Sequence, residues 1–135
     1  MPRTLFLCVG NSCRSQMAQA LFEFHARGRP GFEARSAGTK PAAAVSGLAV
    51  EVLREKGMDI SGRRPKPLTQ ELMEWADIFV SMGCGVEDSC PALYLPKFED
   101  WGIEDPYGGT IEDYRRARDE IEFKVRQLLK KDNCR

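Results

Sequence analysis

Cys8-Val9-Gly10-Asn11-Ser12-Cys13-Arg14-Ser15 is the stretch on which the fold turns. An apolar run, Leu5-Phe6-Leu7, leads into it, and a helical pattern starting near Arg14 leads out. A loop that closes onto a helix N-terminus points several backbone amides the same way, and those donors with the helix dipole favour an anion. Successive amides in such a loop form an anion-binding nest. Gly10 lets the backbone turn tightly, and Asn11 tolerates left-handed conformations while its amide braces the loop. Arg14 carries a planar fork that can grip two oxygens of one oxyanion. The same field favours the thiolate form of Cys8, to which Ser15 can donate a hydrogen bond. The octet therefore reads as one object, an oxyanion cup with a nucleophile at its base, suited to covalent catalysis on phosphate-like substrates. Cys13 has no evident part in this and reads as core packing.

Composition narrows the setting. A chain of 135 residues supports one domain, here residues 1–135, with a proper core. Its 20 basic and 20 acidic side chains cancel, which argues against nucleic acid or an anionic membrane as a partner. The charges are interspersed, with one local basic cluster at Arg63-Arg64-Pro65-Lys66, an exposed loop that could border the anion site. There is no long apolar segment and no signal-peptide pattern, so a cytoplasmic protein is expected. The five cysteines (Cys8, Cys13, Cys84, Cys90, Cys134) lack the paired spacing of a zinc ribbon, and no metal site is expected. His25, the only histidine, falls inside the first helical pattern as a surface residue, which disfavours a Cys–His mechanism.

Along the chain, strands and helices alternate. Leu5 to Val9 is a short apolar run, as expected for a strand buried on both faces. Met17, Ala20, Leu21 and Phe24 mark a helix over residues 14–26, ended at Gly28 to Gly31. Phe32 to Ser36 reads as a second strand, followed by a helix over 46–56 with Leu48, Val52 and Leu53 inward and Gly57 as its stop. A short helix capped by Thr69 precedes a third strand, Asp77 to Ser81. Residues 82–94 read as irregular, with a short strand near Tyr94-Leu95, and 99–109 as a loop. Thr110 with Asp113 reads as a capping-box pair opening the last helix, whose inward face is Ile111, Tyr114, Ile121, Val125 and Leu128. This alternation argues for an α/β fold with a parallel sheet covered on both faces, whose ligands bind beyond the carboxyl ends of the strands. Cys8 ends the first strand, and Cys84 follows the third by a few residues, so both belong to one sheet edge.

The segment Cys84-Gly85-Val86-Glu87-Asp88-Ser89-Cys90 places glycine and polar residues between two thiols. Near an activated Cys8, such a pair can run a disulfide relay. The same pair could instead be two unrelated cysteines or part of a metal site. Asp105-Pro106 reads as a turn in which the proline biases Asp105 to an extended backbone. Trp101 belongs to the core or covers this loop.

Cys8-x5-Arg14-Ser15, with Asn11 inside, resembles the signature of the low-molecular-weight tyrosine phosphatase superfamily. Asn11 to Ala18 resembles its arsenate reductase branch more closely, as do Met82-Gly83-Cys84-Gly85 and Cys90-Pro91. The resemblance implies a three-layer fold: a four-stranded parallel sheet with helices on both faces. It implies reduction of arsenate to arsenite, with phosphate or sulfate as analogues, by attack of Cys8 followed by Cys84 and Cys90. Arg14 and the amides of Val9, Gly10, Asn11, Ser12, Cys13, Arg14 and Ser15 would hold the oxyanion, and Asp105 would be the general acid. Thioredoxin is the expected reductant, with glutaredoxin or a small thiol as other candidates. No cofactor is implied, and a monomer is expected. The alternative within the superfamily is a phosphatase using Cys8, Arg14 and Asp105 alone, which retains a phosphoenzyme step. Phosphatase relatives usually carry an aromatic after the second strand, where this chain has Ala42-Ala43-Ala44; Tyr107 is the phosphatase-like feature. A non-enzymatic thiol redox or metal-binding protein is a third reading. Some reductases of the branch bind potassium at a site that resembles Asn11, Gln19, Ser36 and Lys66 here. Carboxylates are expected at the Gln19 and Lys66 positions, so a lysine that supplies its own charge predicts no potassium dependence.

Overall fold

The computed structural model describes residues 3–83 and 96–133. In chain order these form β1 (Arg3–Cys8), α1 (Arg14–His25), β2 (Glu33–Gly38), α2 (Gly47–Arg54), α3 (Gln70–Trp75), β3 (Ile78–Ser81), β4 (Phe98–Asp100) and α4 (Ile111–Asn133). The strands make one sheet in the order β2-β1-β3-β4, and every pairing is parallel. The α/β expectation with helices on both faces therefore holds.

Alternation along β1 divides the core into two halves. Phe6 and Cys8 face the larger cluster, with Met17, Leu21 and Phe22 of α1, Val52 and Leu53 of α2, and Tyr114, Ile121 and Val125 of α4. Leu5 and Leu7 face a smaller cluster with Ala37 and Phe79, onto which Leu72 and Met73 of α3 pack. Phe6 has no exposed surface, and its ring centroid lies 5.9 Å from that of Phe22 and 5.5 Å from that of Trp101. Each such fully buried aromatic contributes roughly 2–3 kcal/mol. Trp101 is thus a core residue and not a cover.

The helix signals read from sequence do their work at the ends. The Thr69 hydroxyl accepts from the amide of Leu72 at 3.2 Å. The Thr110 amide donates to the Asp113 carboxylate at 2.9 Å while the Asp113 amide donates to the Thr110 hydroxyl at 3.3 Å, a reciprocal capping box.

The fourth strand is a correction. The segment read as a loop from Glu99 begins inside β4, while Tyr94-Leu95, the expected strand, lies outside the described residues. Glu99 and Asp100 are exposed on the sheet's edge, so only Phe98 carries an apolar signal, and it stacks on Phe79 at 5.0 Å. His25 is also corrected. Its ring is partly buried, and Nε2 lies 2.7 Å from the Glu122 carboxylate of α4.

Candidate active site

The sheet order decides where a ligand can sit. β1 has β2 on one side and β3 on the other, so the chain crosses in opposite directions from a central strand, and a crevice opens beyond their carboxyl ends. Residues 9–13 occupy that crevice. Their carbonyls face outward: those of Val9, Gly10 and Ser12 accept from the amides of Lys40 (2.9 Å), Ala42 (2.9 Å) and Ser46 (2.8 Å). Gly38 makes the close wrap possible. A Cβ there would meet the Val9 oxygen at 2.6 Å and the Asn11 amide nitrogen at 2.9 Å, both rigid backbone. Asn11 turns the chain with φ 50.

At the base of the loop lies Cys8, with 2 % of its surface exposed. The Asn11 amide donates to its sulfur at 3.2 Å, and the Ser15 hydroxyl lies 2.9 Å from it. The direction of the second bond follows from its neighbours. The Lys66 backbone N–H, a donor and nothing else, reaches the Asn11 Oδ1 at 2.8 Å. Asn11 therefore turns its Nδ2 to the Ser15 Oγ, at 2.6 Å. That leaves the Ser15 proton for Cys8. Two donors are thus aimed at one sulfur.

Arg14 is 6 % exposed and anchored from behind. Its Nη1 donates to the carbonyls of Met82 and Ile103, each at 2.9 Å. Nη2 lies 3.5 Å from the Asp105 Oδ2, and Nε is buried without a partner among the described residues. The Nε–Nη2 edge is the one that grips an oxyanion bidentately, and an unpaired buried donor there suits that use. Helix α1 adds to it: Cys13 gives no side-chain cap and the first turn holds no acidic residue, so the first-turn amides remain for an anion. Cys8, Gly10, Ser12, Cys13, Arg14, Asp105, Tyr107 and the Ala42–Ala44 wall line a cavity of about 540 Å³. A larger depression, about 740 Å³, runs along α1 and α4 past His25 and Glu122, but none of its lining side chains is a thiol. The chemistry therefore belongs to the smaller cavity.

A profile of low-molecular-weight phosphotyrosine protein phosphatases matches residues 3–133. The chain belongs to that family. Among its relatives, a protein-arginine-phosphatase of Geobacillus stearothermophilus is 38 % identical over 143 residues, spanning 96 % of this chain and 95 % of that one. A glutaredoxin arsenate reductase of Synechocystis is 33 % identical over 132 residues, spanning 97 % and 98 %. Among solved structures, the Geobacillus stearothermophilus arginine phosphatase superposes with a TM-score of 0.89 at 36 % identity, over 99 % of this chain and 94 % of that one. An arsenate reductase in a phosphate-binding state superposes with 0.85 at 33 % identity, over 97 % and 98 %. Phosphatases and arsenate reductases thus stand at similar distances within this phosphatase family.

The structure brings Cys8, Arg14 and Asp105 of the family signature together. It does not reach Cys84, Cys90 or Cys134, which lie outside the described residues. Ser81 of β3 pairs with Leu7 of β1, and the next carbonyl, of Met82, is held by Arg14. Cys13 is more than core packing. Its sulfur lies 3.6 Å from the Asp105 Oδ1 and it lines the cavity. Burial and the nearby Asp105 carboxylate push its thiol up to about 12, so it stays protonated and unreactive near neutral pH. Lys66 also serves the site through its backbone amide, which no side-chain motif signals. The residues expected around a potassium ion do not fit one. The Lys66 Nζ points at the Ser36 hydroxyl from 3.5 Å, that hydroxyl donates to the Gln19 Oε1 at 2.7 Å, and neither position offers a carboxylate.

Proposed function

We propose that this family member is an arsenate reductase, a single catalytic domain working in the cytoplasm. The observation that carries the proposal is a coincidence at one sheet edge. Cys8, braced as a nucleophile beneath the Arg14 grip, ends β1, and the neighbouring β3 ends at the same edge at Ser81, three residues before Cys84 in the sequence. The cavity supports a small tetrahedral oxyanion. Ala42, Ala43 and Ala44 form one wall and offer no ring to stack on an aryl ester.

The chemistry then runs in three displacements. The Cys8 thiolate attacks arsenic and an oxygen leaves as water, its proton supplied by Asp105 as general acid. The Cys84 thiolate attacks the Cys8 sulfur. The S–S bond forms, the S–As bond breaks, and its electron pair stays on arsenic as arsenite. Cys90 then attacks Cys84 and frees Cys8, leaving a Cys84–Cys90 disulfide for an external dithiol, thioredoxin or a glutaredoxin. That bond needs a Cα separation below about 7 Å.

The test is arsenate-dependent NADPH oxidation coupled through thioredoxin and its reductase, and separately through glutaredoxin and glutathione. Wild type is expected to turn over, and Cys8→Ser, Cys84→Ser and Cys90→Ser to lose turnover. A phosphatase would instead show no turnover with any thiol donor, and a Cys8-dependent hydrolysis of phosphoarginine or an aryl phosphate that survives Cys84→Ser.

A further inference from the structure

Gln16 follows the signature and is fully buried on the first turn of α1, yet nothing in the chemistry above uses it. Its Nε2 donates to the Asn11 Oδ1 at 2.9 Å and to the Arg64 carbonyl at 3.0 Å. Its Oε1 is buried and has no partner among the described residues. An unpaired buried carbonyl oxygen is destabilising, a cost an apolar side chain of the same shape avoids. The orientation is nevertheless forced. Arg64 offers an oxygen, which only accepts, and the Asn11 Oδ1 already accepts from the Lys66 amide at 2.8 Å. Both neighbours therefore demand the donor end of Gln16.

We infer that Gln16 is a positioning residue for the nucleophile, acting through Asn11 and Ser15. By adding a second donor to the Asn11 Oδ1, it locks that amide with Nδ2 toward the Ser15 Oγ, 2.6 Å away. The lock directs the Ser15 proton to the Cys8 sulfur at 2.9 Å. Its second bond, to Arg64, ties down the same loop from which Lys66 reaches Asn11. The inference holds whether Cys8 attacks arsenate or a phosphate ester.

The test separates positioning from packing. Wild type, Gln16→Met and Ser15→Ala are treated with iodoacetamide at about pH 6, where alkylation reports thiolate character, and the adduct on Cys8 is followed by peptide mass spectrometry. Stability is read in parallel by urea unfolding. Gln16→Met removes the unpaired oxygen along with both donors, so its unfolding midpoint is expected to match or exceed that of wild type. Its Cys8 is expected to alkylate about threefold more slowly, with Ser15→Ala about tenfold slower as the reference for a lost hydrogen bond to a charged group. Alkylation of Gln16→Met at the wild-type rate overturns the inference. Slower alkylation accompanied by a lower unfolding midpoint overturns it too, because packing then explains the effect. If Gln16→Met does not fold, Gln16→Glu, which keeps the shape and replaces the donor by an acceptor, decides in the same way. Slower alkylation supports positioning, and the wild-type rate refutes it.

Discussion

Asn11 shows how much one side chain can be asked to do. It sits at φ 50, a region that short polar side chains visit more readily than others, and its amide joins the Lys66 backbone to the Ser15 hydroxyl. Asn11→Ala should leave the Lys66 N–H without its acceptor and a β-carbon in a strained backbone. Its unfolding free energy is expected to fall by about 2 kcal/mol in urea titrations. Lys66 leads to a second expectation. Burial lowers its pKa below the usual lysine value, with Arg63 adding to the effect, and its ammonium lies beside the Ser36 hydroxyl where the resembled reductases place potassium. Replacing sodium by potassium at constant ionic strength should therefore leave turnover unchanged within about twofold, since no charge is missing for an ion to supply. A several-fold rise would show that Lys66 does not replace the ion. Lys66 itself was legible as basic, but its backbone contact was not, because every residue carries the same N–H.

At the scale of elements, the sequence was most readable where chemistry is local. The β1–loop–α1 unit announced itself through an apolar run, glycine, asparagine and arginine in order, and the Thr69 and Thr110 caps fell where expected. Thr110→Ala should cost α4 its hydroxyl cap, about 1 kcal/mol, seen as a lower midpoint in denaturant. β4 was not legible, because an edge strand of three residues with two exposed carboxylates has neither alternation nor an apolar run. The site was legible in its nucleophile, its arginine and its acid. The Cys13–Asp105 contact was not, since it joins positions 92 residues apart that only the packed sheet edge brings together. Gly38 belongs to this scale as well. Gly38→Ala pushes a β-carbon into the backbone of residues 9 and 11, so the oxyanion loop must shift, and both turnover and thermal stability are expected to fall.

Across the whole molecule, charged residues on the rim tie the helices to one another. Glu55, just after α2, accepts hydrogen bonds from both Arg115 and Arg118 of α4, and these two guanidiniums lower its carboxyl to about 2 from the usual 4.5. A depressed carboxylate stabilises the fold above its unfolded pKa, and the effect is lost as pH falls through the folded one. The Tm of the wild type should therefore drop more steeply between pH 4.5 and about 2 than that of Glu55→Gln, as scanning calorimetry at stepped pH would read. Arg14, by contrast, is anchored from behind, among the described residues, by main-chain oxygens, those of Met82 and Ile103. All twenty amino acids carry that oxygen. Mutational drift can thus rewrite the side chains at 82 and 103 without a single intermediate in which the guanidinium has lost its bearings. A lineage built this way is free to exchange one trade for another, reductase for phosphatase or back, by changing what surrounds a grip that heredity has little power to loosen.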